Sequence, residues 1–211
     1  MGKGQKGMDV FILLDRTGSM ASLWVEAVSS VNTYVRELAK DGAGDRVTLA
    51  AFDAYESGMQ FDILRDAVQI TEWREVAPDE VLPRGTTPLL DALVRLVTRA
   101  EEVNNEKTAI VVMTDGFENA SKEVTVEAAK ATLDRVKGKN WQINFLGADF
   151  DGISQAGRLG VARDNSMNFR QGRADAAMHS TAQAHSSYRR SPGAVSYQEE
   201  DRKNSGEDEV K

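Results

Sequence analysis

Carboxylate and hydroxyl side chains are concentrated in three short segments of the sequence. The first, Asp15-Arg16-Thr17-Gly18-Ser19, directly follows the apolar residues 10–14. The second, Gly85-Thr86-Thr87-Pro88, lies just before an amphipathic stretch, and the third, Thr114-Asp115-Gly116, follows the largely apolar residues 108–113. None of the three contains a histidine or a cysteine. A set of oxygen ligands with few carboxylates suits a hard divalent cation that keeps part of its water shell, which indicates Mg²⁺ or Mn²⁺.

The first segment has a spacing that suits metal binding. Asp15, Thr17 and Ser19 alternate with spacer residues, so a single turn can direct three oxygens at one point, and Gly18 permits a tight backbone. Each part also has a purely structural interpretation. Asp15 and Ser19 could cap the following helix, and Thr87-Pro88 could be no more than the start of another. The occurrence of three such segments at the ends of predicted elements favours the metal interpretation.

Strands and helices alternate along the chain in a way that would bring the three segments together. Apolar runs predict strands at residues 8–14, 46–52, 58–64, 108–113, 141–146 and 167–169, with 58–64 as an antiparallel edge strand. Apolar side chains three or four positions apart predict helices at residues 20–40, 89–103, 126–136, 153–159 and 174–188. This alternation predicts a doubly wound α/β fold with a mainly parallel sheet and helices on both faces. In such sheets ligands bind beyond the carboxyl ends of the strands.

Composition limits the possible functions. The 211 residues include 26 lysines and arginines against 33 acidic residues, and the formal net charge of −7 makes nucleic acid an unlikely partner. The absence of cysteine excludes disulfides, thiolate zinc sites and cysteine nucleophiles. The apolar run near the N-terminus is too short for a signal peptide or a membrane span, so we expect a cytoplasmic protein without a membrane partner.

The distribution of charge also suggests the domain boundaries. Residues 191–211 contain six acidic and three basic residues and few large apolar side chains, so we expect a disordered acidic tail. The alternative is an acidic arm that docks on a basic partner. The glycine-rich residues 1–7 are expected to be flexible, which leaves residues 8–190 as the folded domain.

Familiar catalytic patterns are absent from the sequence. It has no G-x-x-x-x-G-K-[ST] phosphate loop, no G-x-G-x-x-G after the first strand and no G-x-S-x-G nucleophile elbow. His179 and His185 are six positions apart, a spacing that does not form a helical metal pair, and we expect both at the surface. Asp15 and Asp115 could form an acid–base pair, but neither a base of suitable pKa nor a second metal set accompanies them.

The three oxygen-rich segments together resemble the metal-ion-dependent adhesion site of one known family. Asp15-Arg16-Thr17-Gly18-Ser19 is similar to the D-x-S-x-S motif of von Willebrand factor A domains, and Thr87 and Asp115 match the second and third elements of that site. The phrases FILLDRTGSM, RGTTPLLDAL and VVMTDGFENA follow the family's order, and the resemblance covers residues 8–190. The chain looks most similar to the stand-alone bacterial and bacteriophage branch, through Phe145-Leu146-Gly147-Ala148 and Ser186-Ser187-Tyr188-Arg189-Arg190.

This resemblance implies a three-layer, doubly wound, Rossmann-like fold and a bound Mg²⁺ or Mn²⁺. The implied metal ligands are Asp15, Thr17, Ser19, Thr87 and Asp115. Thr17 stands where the family has serine, which keeps the hydroxyl, and Thr86 is the alternative to Thr87 as the loop ligand. The implied function is a non-enzymatic protein-binding module, in which a carboxylate of the partner protein completes the coordination of the ion. Specificity would come from the surrounding rim, at residues 53–57, Arg84, 117–119 and 149–151.

Two other functions remain open. A metal-dependent hydrolase of phosphate esters would use the same ion as a Lewis acid. A structural or assembly protein of a bacterium or bacteriophage would use the fold as a scaffold.

Overall fold

A computed structural model describes residues 7–56, 58–191, 193 and 196–210. The strands in this part of the chain are β1 (Asp9–Asp15), β2 (Arg46–Tyr55), β3 (Gly58–Gln69), β4 (Thr108–Thr114), β5 (Gln142–Ala148) and β6 (Ser166–Phe169). They form one sheet in the order β3-β2-β1-β4-β5-β6, in which the β2–β3 pair is antiparallel and the other pairs are parallel. Of the N-terminal segment that we expect to be flexible, residues 1–6 lie outside the described residues.

Helices cover both faces of the sheet because successive side chains of the central strands point to opposite sides. On β1, Val10, Ile12 and Leu14 pack in a core with α1 (Trp24–Ala39) and α5 (Ala174–Arg190). Phe11 and Leu13 belong to a second core on the other face, with α2 (Leu89–Val103), α3 (Val126–Lys137) and α4 (Gly152–Arg158). The predicted three-layer α/β fold is confirmed. Within the described residues, no helix combines the length and apolar character needed to cross a bilayer.

Two elements differ from the predicted ranges by four residues or more at one end. The strand predicted at 58–64 continues to Gln69, because a bulge absorbs the break in the apolar pattern. Ala67 adopts a positive φ of 47° there, and its N–H donates to Thr48 Oγ1 at 3.0 Å. The helix predicted from residue 20 begins at Trp24, because a short 3₁₀ turn at Gly18–Ser22 precedes it.

Residues 196–210 are ordered, whereas the composition predicts a disordered acidic tail at 191–211. Residues 196–210 contain a sixth helix, α6 (Glu199–Ser205), and a 3₁₀ turn at Glu207–Glu209. Tyr197 is buried in the core beside α1 and α5, which supplies the apolar anchor that the composition obscured. The acidic side chains find partners on the domain: Glu207 pairs with Arg163 and Glu209 with Arg170.

His185 also differs from expectation, since it is fully buried between α1, α5 and β5, whereas the His179 side chain is 44% exposed and lies at the surface as expected. Its Nδ1 lies 2.6 Å from the Tyr34 hydroxyl, and its Nε2 lies 2.8 Å from Asn144 Oδ1. The amide oxygen can only accept, so Nε2 carries the proton and Tyr34 donates to Nδ1. Both ring nitrogens are therefore satisfied within the core, which makes His185 a structural residue.

Candidate metal centre

The parallel pairing of β1 with β4 places the two predicted carboxylate ligands at the same edge of the sheet. Asp15 is the last residue of β1, and Asp115 follows the last residue of β4, Thr114. Thr114 Oγ1 donates to Asp15 Oδ2 at 2.6 Å, so the neighbouring strand holds the carboxylate in place. The other carboxylate oxygen, Oδ1, accepts from the backbone N–H of Thr17 at 2.7 Å, which closes a tight turn after β1.

Three hydroxyls join these carboxylates in a continuous cluster. Ser19 Oγ donates to Asp115 Oδ1 at 2.7 Å and lies 3.2 Å from Thr17 Oγ1. Thr17 Oγ1 in turn lies 3.5 Å from Thr87 Oγ1. The structure thus brings together all five residues predicted to bind the metal, from segments that are up to 100 residues apart in sequence.

The two loop threonines differ in how they lie relative to the cluster. Thr87 is buried and its hydroxyl faces the cluster, whereas Thr86 is exposed and its hydroxyl lies 3.5 Å from the carbonyl of Ala54. Backbone bonds between Thr86 and Ala54 pin the loop to β2. Gly85 makes this approach possible with a φ of +70°, because a Cβ there would lie 2.0 Å from the Ala54 carbonyl oxygen.

No lysine, arginine or histidine in the described part of the chain forms an ion pair with either carboxylate. Burial raises the pKa of Asp15 to about 6, although hydrogen bonds from Thr114 and Thr17 oppose the shift. Burial, together with the nearby negative charge of Asp149, also raises the pKa of Asp115. The neighbouring guanidinium of Arg16 does not neutralise them, since its ion pairs are with Asp53 and Asp62.

This donor set fits a divalent cation. Two carboxylates without a counter-charge and three converging hydroxyls are the oxygen ligands of a hard ion that retains waters. A Cβ on Gly116 would lie 3.7 Å from Thr87 Oγ1 and 4.0 Å from Ser19 Oγ, so the glycine keeps the space beside these hydroxyls open. No group of three or more His, Cys, Asp or Glu side chains suited to a metal occurs among the described residues. Any ion held here would depend on the hydroxyls and on water.

Sequence reasoning missed the residues that hold the cluster in place. Asn119 clamps Thr87 from both sides: its N–H donates to the Thr87 carbonyl at 3.1 Å, and its Oδ1 accepts from the Thr87 N–H at 2.9 Å. The Glu118 carboxylate accepts from the backbone N–H groups of Leu90, Ala120 and Ser121. Two of the residues 117–119, which the sequence predicts for the specificity rim, thus also hold the loop in place. No local sequence signal marks these roles.

Another part of the predicted rim is internal. Asp53 is fully buried, and its carboxylate accepts from Arg16 Nη2 at 2.9 Å and from Arg84 Nε at 2.8 Å. It therefore braces the loop next to the cluster and cannot contact a partner. Arg84 also stacks over the exposed ring of Tyr55 at 5.1 Å. Ser57, at the end of this predicted rim segment, lies outside the described residues.

Comparison with known proteins agrees with the fold. The family model of the von Willebrand factor type A domain matches residues 9–183. The vWF domain of the type V pili tip protein Mfa5 from Porphyromonas gingivalis is similar in structure, with a TM-score of 0.67, 14% identity and coverage of 90% of this chain and 98% of that one. Manganese-loaded TRAP protein from Plasmodium vivax has a TM-score of 0.54, 20% identity and coverage of 81% and 71%. No curated protein matches the chain in sequence.

Proposed function

The chain belongs to the von Willebrand factor type A family, and on that premise we propose that it is a non-enzymatic protein-binding module that depends on a divalent cation. The metal ligands in this proposal are Asp15, Thr17, Ser19, Thr87 and Asp115, and the ion is Mg²⁺ or Mn²⁺. The observation that carries it is the pair of carboxylates, buried Asp15 and partly buried Asp115, which lack a counter-charge and are joined by three hydroxyls. The manganese-loaded TRAP structure supports it, since that protein shares the fold and holds a divalent metal.

The composition of the site explains why it would bind a protein. Two carboxylates balance the charge of a divalent ion, and the hydroxyls add no further negative charge. When bound, the ion supplies an electrophilic coordination position that a carboxylate of the partner protein fills. Asn119 and Glu118 fix the loop beforehand, so little ordering remains to oppose binding.

Metal binding is tested with the two adjacent threonines as a matched pair. Calorimetric titration of Mg²⁺ and Mn²⁺ into the wild type, Thr87→Val and Thr86→Val compares the loss of a clustered hydroxyl with the loss of an exposed one. We expect Thr87→Val to weaken binding by about tenfold or more, as ligand-shell changes commonly do, and Thr86→Val to match the wild type. Equal affinities for the two variants, or no binding by the wild type, would refute the assignment.

Partner binding is tested separately. Proteins from the native host that bind the immobilised wild type should be released by a chelator and should not bind Asp15→Ala. The hydrolase alternative makes a different prediction: turnover of a generic phosphoester by the wild type that is lost in Asp115→Ala. The scaffold alternative predicts self-association that a chelator does not change.

A further inference from the structure

The outer edge of β6 lies at the opposite end of the sheet from β3 and has no neighbouring strand among the described residues. An edge strand normally presents alternate backbone N–H and C=O groups that can pair with another chain. Here the outward groups belong to residues 166, 168 and 170, because residue 169 directs its carbonyl inward to the N–H of Asp149. Each of these three residues has a backbone group bonded to the C-terminal segment, residues 196–210.

These bonds follow the two-residue period of a strand, although the segment that makes them is a helix and a turn. The four bonds are Arg202 Nη1 to Ser166 O at 2.9 Å, Asn168 N to Glu207 Oε2 at 2.9 Å, Ser205 Oγ to Asn168 O at 3.0 Å, and Arg170 N to Ser205 O at 3.0 Å. The segment thus occupies the hydrogen-bonding positions that a seventh strand would use.

Local features of the segment direct these groups to the edge. Gly206 adopts a φ of +71° after α6, which turns the chain so that Ser205 and Glu207 both face β6. The Glu207 side chain is only 10% exposed, and Arg163 and Arg202 neutralise it. At the other end, the Tyr197 N–H donates to the Asp164 carbonyl at 2.9 Å, and its ring lies in the core. The segment is therefore fastened on both sides of the strand.

We infer that residues 196–210 are an intramolecular guard of the β6 edge, and that this edge is a strand-pairing surface for a second copy of the chain when the guard is displaced. A second copy fits because two β6 edges related by a twofold axis present the same alternating groups to each other in antiparallel pairing. This surface is independent of the metal centre and of the function proposed for it.

Two glutamates of the same turn provide the test in the full chain. Glu207 accepts from the Asn168 N–H, whereas Glu209 is 60% exposed and pairs with the Arg170 side chain. In dilute protein, hydrogen exchange at the Asn168 amide should be about tenfold faster or more in Glu207→Ala and unchanged in Glu209→Ala. Glu207→Gln keeps an acceptor oxygen without the ion pairs and should retain most of the protection. If the Asn168 amide is as well protected in Glu207→Ala as in the wild type, the proposed guard role is refuted.

Self-association of the same variants tests the pairing surface. Sedimentation velocity should show a concentration-dependent dimer of Glu207→Ala that a chelator does not dissolve, and a monomer for Glu209→Ala. At high concentration, the Asn168 amide of Glu207→Ala should regain protection. Far-UV circular dichroism establishes that each variant is folded. A folded Glu207→Ala that stays monomeric would overturn the proposed surface. So would a dimer in which hydrogen exchange at the Asn168 amide remains fast.

Discussion

Replacing Asp15 with asparagine is expected to stabilise the metal-free protein at neutral pH. Asparagine has the same shape and removes a buried charge that no described cation balances. Its Oδ1 can still accept from the Thr17 N–H, and its amide can donate to the Thr114 hydroxyl. Thr114 can then direct its own proton to the Gly116 carbonyl, which lies 3.2 Å away. The substitution therefore keeps the hydrogen bonds that link position 15 to Thr17 and Thr114.

The size of the effect follows from the raised pKa. The Asp15 carboxyl titrates near 3.8 when unfolded and at about 6 when folded. Between these values the folded state binds more protons, so the free energy of unfolding of the wild type falls as pH rises through this window. A shift of about two pKa units corresponds to a loss of about 3 kcal/mol in the free energy of unfolding. This loss is absent below pH 3.8 and is complete above pH 6. Asparagine does not titrate, so Asp15→Asn should gain up to about 3 kcal/mol at pH 7.5, or roughly 6–12 °C in Tm.

Urea unfolding in EDTA at several pH values between 4 and 7.5 measures this difference. Asp79→Asn is the matched control, since Asp79 is an exposed carboxylate in a turn and its loss should change stability little. Adding Mg²⁺ should raise the stability of the wild type and leave Asp15→Asn unchanged. If Asp15→Asn is less stable than the wild type at pH 7.5 in EDTA, or differs from it equally at pH 4 and pH 7.5, the reasoning fails.

Three further predictions concern residues outside the metal ligands. Asn119→Ala removes the clamp on Thr87, so its calorimetric Mg²⁺ affinity should fall by about 10–100-fold with the five proposed ligands intact. Burial lowers the pKa of His185 to about 3, so the folded state resists a proton that the unfolded state accepts near 6.5, and stability should be lost as pH falls from 6.5 towards 3. His185→Gln should flatten that dependence in urea unfolding, and an equally steep curve would contradict it. Gly85→Ala forces a Cβ against Ala54 at positive φ, so thermal melting should show a loss of about 1–3 kcal/mol, and an unchanged Tm would contradict the described loop.

The core of the fold was predictable because its signals are local. The apolar runs of β1, β4 and β5 and the amphipathic spacing of α1 and α2 each lie within one short segment. The extension of β3 was not predictable, because it depends on a bond between Ala67 and Thr48 on the neighbouring strand. The burial of His185 likewise depends on Tyr34, which is 151 positions away.

The same distinction applies to the candidate site and to the C-terminus. Asp15, Thr17 and Ser19 form a local motif, so their spacing alone was informative. The roles of Asn119 and Asp53 were hidden, because their partners lie 31 to 37 positions away and are set by the register of the fold. Composition misjudged residues 196–210 because it counts charges as solvated, whereas Arg163 and Arg170 pair with these acids across the fold.

The way charge is handled at the two ends of β1 and β2 supports the view that the cluster is built for a cation. Asp9, at the start of β1, is paired with Arg46, and Asp53, next to the cluster on β2, is paired with Arg16 and Arg84. Other buried carboxylates in this fold are satisfied in one of two ways: Asp9, Asp45 and Asp53 are matched with arginine, and Asp91 accepts from three backbone N–H groups. Asp15 adjoins Arg16 in sequence and is nevertheless left without a counter-charge, because Arg16 turns to Asp53 and Asp62. An unbalanced carboxylate beside an arginine committed elsewhere costs stability in the metal-free protein, and a bound divalent ion would offset that cost.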